Sequence, residues 1–181
     1  MSFPFQPEKA AQAAAYLLRL HGGRLAYVKL VKLLYFADRR ALVERGFPIT
    51  GDDFVSKADG PYLRTVTRLI ESNAFWTEYL SQPVGPDIYL ANRDPDRDKL
   101  SDWEMGLLHA MYLRYGSLGT KTISDESCSL PEWQDPEPAI ASPIDFADIL
   151  RAENWTDAEI QEVQKDAQDL MFLESLSSRK S

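Results

Sequence analysis

Apolar residues recur along this chain mainly at three- and four-residue intervals, the period of an amphipathic helix, and glycines and prolines divide that pattern into segments. After Pro7, the positions Ala10, Ala13, Ala14, Leu17 and Leu18 predict a first helix reaching His21, with Gly22-Gly23 as its stop. Its alanine-lined face lets a neighbouring helix approach closely. From about residue 24 to 45 the apolar positions are denser: Leu25, Val28, Leu30, Val31, Leu33, Leu34, Phe36, Ala37, Ala41 and Leu42 cover more than half of a helical circumference. Such a helix belongs in the interior, with neighbours on several sides. Its polar remainder is basic (Lys29, Lys32, Arg39 and Arg40), and Gly46 supplies the left-handed residue that ends it.

Beyond Gly46 the pattern breaks up. Residues 47–53 read as a turn and 54–57 as a short extended piece. Asp59-Gly60-Pro61 predicts a helix start, with Asp59 as cap and Pro61 in the first turn. In that helix Leu63, Val66, Leu69 and Ile70 face inward, while Arg64 and Arg68 lie together on another face. Residues 75–80 and 87–91, aromatic-rich around a Pro/Gly loop, read as a short hairpin that needs helices beneath it, and 92–98 as a polar loop. Ser101 and Glu104 form a capping box for a helix that buries Trp103, Leu107, Leu108, Met111 and Tyr115 and stops at Gly116. A short helix is expected over 118–126, a proline-rich loop around Trp133 over 127–144, and another short helix over 145–151. Thr156 and Glu159 form a second capping box. The last helix, over 157–176, has Ile160, Val163, Ala167, Leu170 and Leu173 as its inward stripe and a densely acidic outer face; residues 177–181 are expected to fray. The sum is a mainly α (α+β) chain. It is expected to form a single helical domain over 1–176, around one central hydrophobic helix, with a small β-hairpin or short antiparallel sheet.

Composition and charge narrow the function. The 181 residues, 44% of them hydrophobic, suffice for one buried core. No apolar run approaches the roughly 18 residues of a membrane span. The first seven residues lack the cationic-then-apolar order of a secretory signal, so a soluble, cytoplasmic protein is expected. The net charge of −8 is unevenly placed: residues 1–70 carry 11 Lys/Arg against 6 Asp/Glu, whereas 71–181 carry 9 against 22. Excess acid disfavours non-specific binding to nucleic acid, while opposite charge on the two halves suits a charged protein partner.

Candidate chemistry is sparse. The only cysteine is Cys128 and the only histidines are His21 and His109, never at ligand spacing, so neither a disulfide nor a metal or other cofactor is expected. Asp94, Asp96 and Asp98 lack the central glycine and the final Glu of a calcium loop. Cys128 with His109 as base is the route left to a hydrolase, although no strand-turn-helix elbow frames the thiol. The basic residues Lys29, Lys32, Arg39, Arg40, Arg64 and Arg68 form a candidate partner-binding surface. A DNA-binding regulator is the weaker alternative, because no recognition helix follows them.

One stretch has a specific likeness. Lys29-Leu30-Val31-Lys32-Leu33-Leu34-Tyr35-Phe36-Ala37-Asp38 resembles the Lys-Leu-x-Lys-Leu-Leu-Tyr-x-Ala signature of the Panacea domain, the SocA-like, phage-associated antitoxin family. The likeness continues in order through Gly46-Phe47-Pro48-Ile49-Thr50-Gly51, Phe54-Val55-Ser56, Gly60-Pro61, Leu100-Ser101, Tyr115-Gly116, Pro131-Glu132-Trp133 and Pro143-Ile144, across roughly residues 8–152. Leu33, Leu34, Tyr35, Gly60, Pro61 and Trp133 are its structural marks. Asp59 and Cys128 stand where relatives often carry His, so no catalytic role is carried over, and Tyr62 replaces Val or Ile after the Gly-Pro. The resemblance implies a mainly helical domain with a small sheet. It further implies an antitoxin that neutralises a cognate toxin, encoded beside it, by direct protein binding; a homo-oligomer is compatible with it.

Overall fold

A computed structural model describes residues 2–72, 78–81, 84–91, 96–136 and 141–178. The segment densest in apolar residues becomes helix α2 (Tyr27–Arg45), twelve of whose nineteen residues are buried. Around it pack α1 (Pro7–Leu20), α4 (Asp102–Tyr115), α5 (Thr120–Cys128) and α6 (Phe146–Ala152). Leu30, Leu33, Leu34 and Leu42 on α2 are essentially solvent-free. At about 1.5–3 kcal/mol for each fully buried aliphatic side chain, they make this helix the main anchor of the core. Helix α1 lays buried Ala10, Ala13 and Ala14 into the same core. Among the described residues no helix is long and apolar enough to cross a membrane.

The strands are few and short. Strand β1 (Arg24–Ala26) pairs antiparallel with β4 (Asp87–Tyr89), Leu25 opposite Ile88. Strands β2 (Phe54–Lys57), β3 (Gly60–Leu63) and β5 (Ser142–Pro143) form a second antiparallel sheet with β2 in the middle. The chain is therefore mainly α with a small β component, as its periodicity predicts.

Local differences from that pattern have physical causes. The central helix starts at Tyr27 and not at residue 24, because two positive-φ glycines, Gly22 and Gly23, turn the chain. Arg24 then pairs with Asp87 and draws the next backbone groups into β1. Asp59 does not cap a helix. It lies in the tight turn between β2 and β3, and Pro61, which has no N–H to donate, is tolerated because β3 is an edge strand. Helix α3 (Arg64–Ser72) starts later and is capped from a distance: the Asp52 carboxylate accepts the N–H groups of Thr65 at 2.9 Å and Val66 at 2.7 Å. The short helix expected over 118–126 lies two residues further on, which places Ser127 and Cys128 in its last turn. Residues 75–77 and 82–83 of the expected aromatic hairpin and its loop, 92–95 of the polar loop and 137–140 of the proline-rich loop lie outside the described residues. Where described, the hairpin pairs Leu80 with Leu90, and Ala91 N–H bonds to the Tyr79 carbonyl at 2.9 Å.

Both capping boxes form, Ser101 with Glu104 and Thr156 with Glu159. The last helix, α7 (Asp157–Ser178), buries Ile160, Val163 and Ala167 as expected, but Leu170 and Leu173, placed in the inward stripe, are exposed. The helix still faces the body at Leu170, which lines a surface groove with Phe3 and Trp103, but its turn carries Leu173 to the side away from Ala167. It also runs through residues 177 and 178, where fraying was expected; 179–181 lie outside the described residues.

Candidate functional site

Lys32, Tyr35 and Arg39 stand at i, i+3 and i+7 on α2 and so share one side of the helix. All three are buried. A buried ammonium or guanidinium is tolerated only with partners, and those partners define the site. Lys32 Nζ donates to the Pro61 carbonyl at 3.0 Å. Burial pushes its pKa down to about 8, against the pull of the Asp59 charge. Beside it, Gly60 turns the hairpin at φ +105°. A Cβ there would collide with Ser127 Oγ and stand 2.9 Å from Lys32 Nζ and 3.3 Å from Cys128 Sγ. The missing side chain thus lets the hairpin, α2 and the end of α5 meet at one point. Trp133 Nε1–H ties the same hairpin by donating to the Lys57 carbonyl at 2.9 Å.

Further along α2, two side chains converge on Glu132. Tyr35 Oη donates to its Oε1 at 2.7 Å. Arg39 makes a two-pronged bond, Nε to Oε1 at 2.7 Å and Nη2 to Oε2 at 3.1 Å, and extends Nη1 to Glu153 at 2.9 Å. The Glu132 side chain is wholly buried. Burial works against the Arg39 charge, but Glu132 outweighs it and holds the guanidinium above its ordinary pKa. Burial and the neighbouring Glu132 carboxylate push the Tyr35 phenol well up, so it remains a donor.

A third tie is Asp38, wholly buried, whose carboxylate accepts from the Thr50 N–H at 3.0 Å and from the Thr50 hydroxyl, holding residues 47–53 against α2. Burial pushes its pKa up to about 7, with the Thr50 bonds opposing. Between about pH 4 and 7 the folded chain therefore keeps a proton that the unfolded chain releases. The contribution of Asp38 to stability is fully present at the acid end and is lost as the pH rises through 7. Asp38→Asn cannot titrate. Its unfolding free energy relative to wild type is expected to improve by up to about 4 kcal/mol between pH 4 and 8. Denaturant melts at a series of pH values measure this, and a pH-independent difference would show an ordinary carboxyl.

The six basic candidates do not form one exposed stripe. Lys32 and Arg39 point inward as just described. Lys29 is half-buried and donates to the Gly116 carbonyl at 3.0 Å, and Arg40 is exposed but pairs with Glu44 at 2.5 Å. Arg64 and Arg68 are exposed on α3. Glu132, Asp38 and Asp52 are the polar residues whose roles sequence reasoning missed. Asp59 and Cys128, the two departures from the family pattern, meet around Lys32: both carry charge interactions with its ammonium. Burial raises the Cys128 pKa, with Lys32 opposing and Asp59 adding to it, so the thiol stays protonated. That is the reverse of what a nucleophilic thiol needs. His109 is exposed on α4, and no hydrogen bond among the described residues joins it to Cys128. Two surface grooves, about 460 Å³ beside Phe47 and Trp103 and about 430 Å³ between α2 and α4, are lined by neither. Among the described residues no three His, Cys, Asp or Glu side chains stand where they would hold a metal ion.

The residues so joined are the ones that carry the sequence likeness. A family model described as Antitoxin SocA-like, Panacea domain matches residues 30–134, more than half of the chain. The chain belongs to this family. The Panacea segment starts within α2 and ends just past Trp133, so it takes in Lys32, Tyr35, Arg39, Gly60, Pro61 and Glu132 but leaves out α1, α6 and α7. It is shorter than the 8–152 over which the likeness was read. Comparison with curated proteins and with solved structures returns no match. The Panacea signature has a physical meaning in this chain: one side of α2 gathers the Gly-Pro hairpin and the Pro-Glu-Trp segment around the core.

Proposed function

We propose that this Panacea protein is an antitoxin that neutralises a protein toxin, encoded beside it, by binding the toxin directly. Membership in the SocA-like family supports this. The observation that carries it is that Lys32, Tyr35 and Glu132, from the signature segments, and Arg39 directly after the first of them are turned inward and bonded to one another or to backbone. Groups that hold the fold together are not free to turn over a substrate, so the domain offers a partner its surface. Arg64 and Arg68 on α3 and the acidic outer face of α7 are the charged parts of that surface.

The test is to co-express the chain with the product of each flanking gene. One such product is expected to arrest growth alone, to be relieved by this chain, and to co-purify with it. Arg64→Glu/Arg68→Glu is expected to weaken the complex about tenfold, with a larger effect at low salt. Cys128→Ser is expected to leave rescue intact, which a thiol hydrolase would not. Absence of a toxic neighbour, or relief of toxicity without a complex, would sink the proposal.

A further inference from the structure

Helix α7 packs closely on the body only along its first half; farther on, Leu170 and Glu174 face the body across surface grooves shared with Phe3, Trp103, Phe5 and Lys99. Ile160, Val163 and Ala167 are buried, whereas every residue from 168 to 177 is exposed. On the side turned away from Ala167, Asp169, Phe172, Leu173 and Leu176 stand at i, i+3, i+4 and i+7 and form one stripe. Phe172 is 63% and Leu173 60% exposed. Single exposed apolar side chains need no explanation, but three together on a bare helix face mark a contact surface. Toward the N-terminus the same side of the helix carries Glu162, Lys165 and Asp166, and α7 as a whole holds six Asp/Glu against this one lysine.

We propose, resting on the antitoxin function above, that this stripe is the helix by which the chain docks into an apolar, basic-rimmed groove of the toxin. Apolar anchors at three- and four-residue spacing are the helix-in-groove mode of recognition. Charge selects the occupant. Pairing α7 with the α7 of a second copy through Phe172, Leu173 and Leu176 would bring two acidic faces together, and like charges at a contact cost affinity. A groove flanked by Lys and Arg meets both halves of the stripe at once. Because α7 lies outside residues 30–134, the matched Panacea segment does not supply this surface.

Phe172→Ser/Leu176→Ser tests the assignment in the full chain, with the toxic flanking-gene product as the probe. Both side chains are exposed, so helicity and melting temperature are expected to be unchanged. Affinity is expected to fall at least about tenfold, with loss of growth rescue. Asp166→Lys/Asp169→Lys is expected to weaken binding and flatten its salt dependence. If wild type binds and rescues and the apolar double variant does so equally well, the docking assignment is wrong and the antitoxin function stands. A wild-type dimer that the variant converts to monomers, with toxin affinity unchanged, also overturns it and assigns the stripe to a second copy. Failure of the wild-type chain itself to bind or rescue ends both proposals.

Discussion

Glu132→Ala is expected to destabilise the chain by about 3–5 kcal/mol, because it leaves the Arg39 guanidinium buried with its main partner removed. The bonds lost are the two-pronged one from Arg39 and the 2.7 Å bond from Tyr35. Glu153 remains in contact with Arg39, but it is partly open to solvent and cannot replace a wholly buried carboxylate, so the effect should stay within that range. Urea or guanidinium melts at neutral pH measure it. A loss below about 1 kcal/mol, the size of an exposed pair, would show that water reaches the site and that Glu132 does not hold α2 to the 131–133 segment. The interpretation is sharpened by replacing both partners. Arg39→Met/Glu132→Met removes the two charges together, and a buried ion pair exchanged for apolar side chains is often near neutral in stability. A double variant more stable than Glu132→Ala would identify the unpaired charge, and not lost packing, as the origin of the damage.

The tie that this experiment probes was hidden in the sequence for a definable reason. Features that depend on a few adjacent residues were legible: the apolar density of α2, Gly46 as its left-handed stop, and the boxes Ser101–Glu104 and Thr156–Glu159. Features whose partner is far away in the chain were not. Arg39 bonds to a carboxylate 93 positions later, so on a helical wheel it reads as a solvated cation. Asp52 caps a helix 13 and 14 residues on, while Asp59, two residues before Pro61, offered a false local cap. Leu170 continues the period of Ile160, Val163 and Ala167 and still faces the body across a groove, whereas a further step of three residues turns Leu173 to the outer side, a drift that three-residue spacing alone conceals. One signal was available. Lys32, Tyr35 and Arg39 interrupt a helix that is apolar on nearly every side, and polar groups so placed must be buried and bonded. The carboxylate of Pro131-Glu132-Trp133 was the natural candidate partner.

Gly60→Ala is expected to cost roughly 2–5 kcal/mol, since it combines backbone strain with a collision. The two parts can be separated inside this chain. Gly22 also has positive φ, +79°, but a Cβ there meets nothing within 4 Å. Gly22→Ala should therefore report the conformational part alone, about 1–2 kcal/mol. At Gly60 the added methyl group must also displace Ser127 Oγ and crowd Lys32 Nζ and Cys128 Sγ. Ser127→Ala takes away the nearest obstacle. Its combination with Gly60→Ala should recover about 1 kcal/mol or more relative to the sum of the single changes, a coupling that distant residues do not show. Equal effects at Gly22 and Gly60, or strict additivity with Ser127→Ala, would mean that the hairpin does not rest against α5. In that case Lys32, whose only described hydrogen bond is to the carbonyl of Pro61, would lose the enclosure that lowers its pKa. Placing glycine at the hairpin corner and burying a lysine in α2 are thus one structural requirement expressed at two positions.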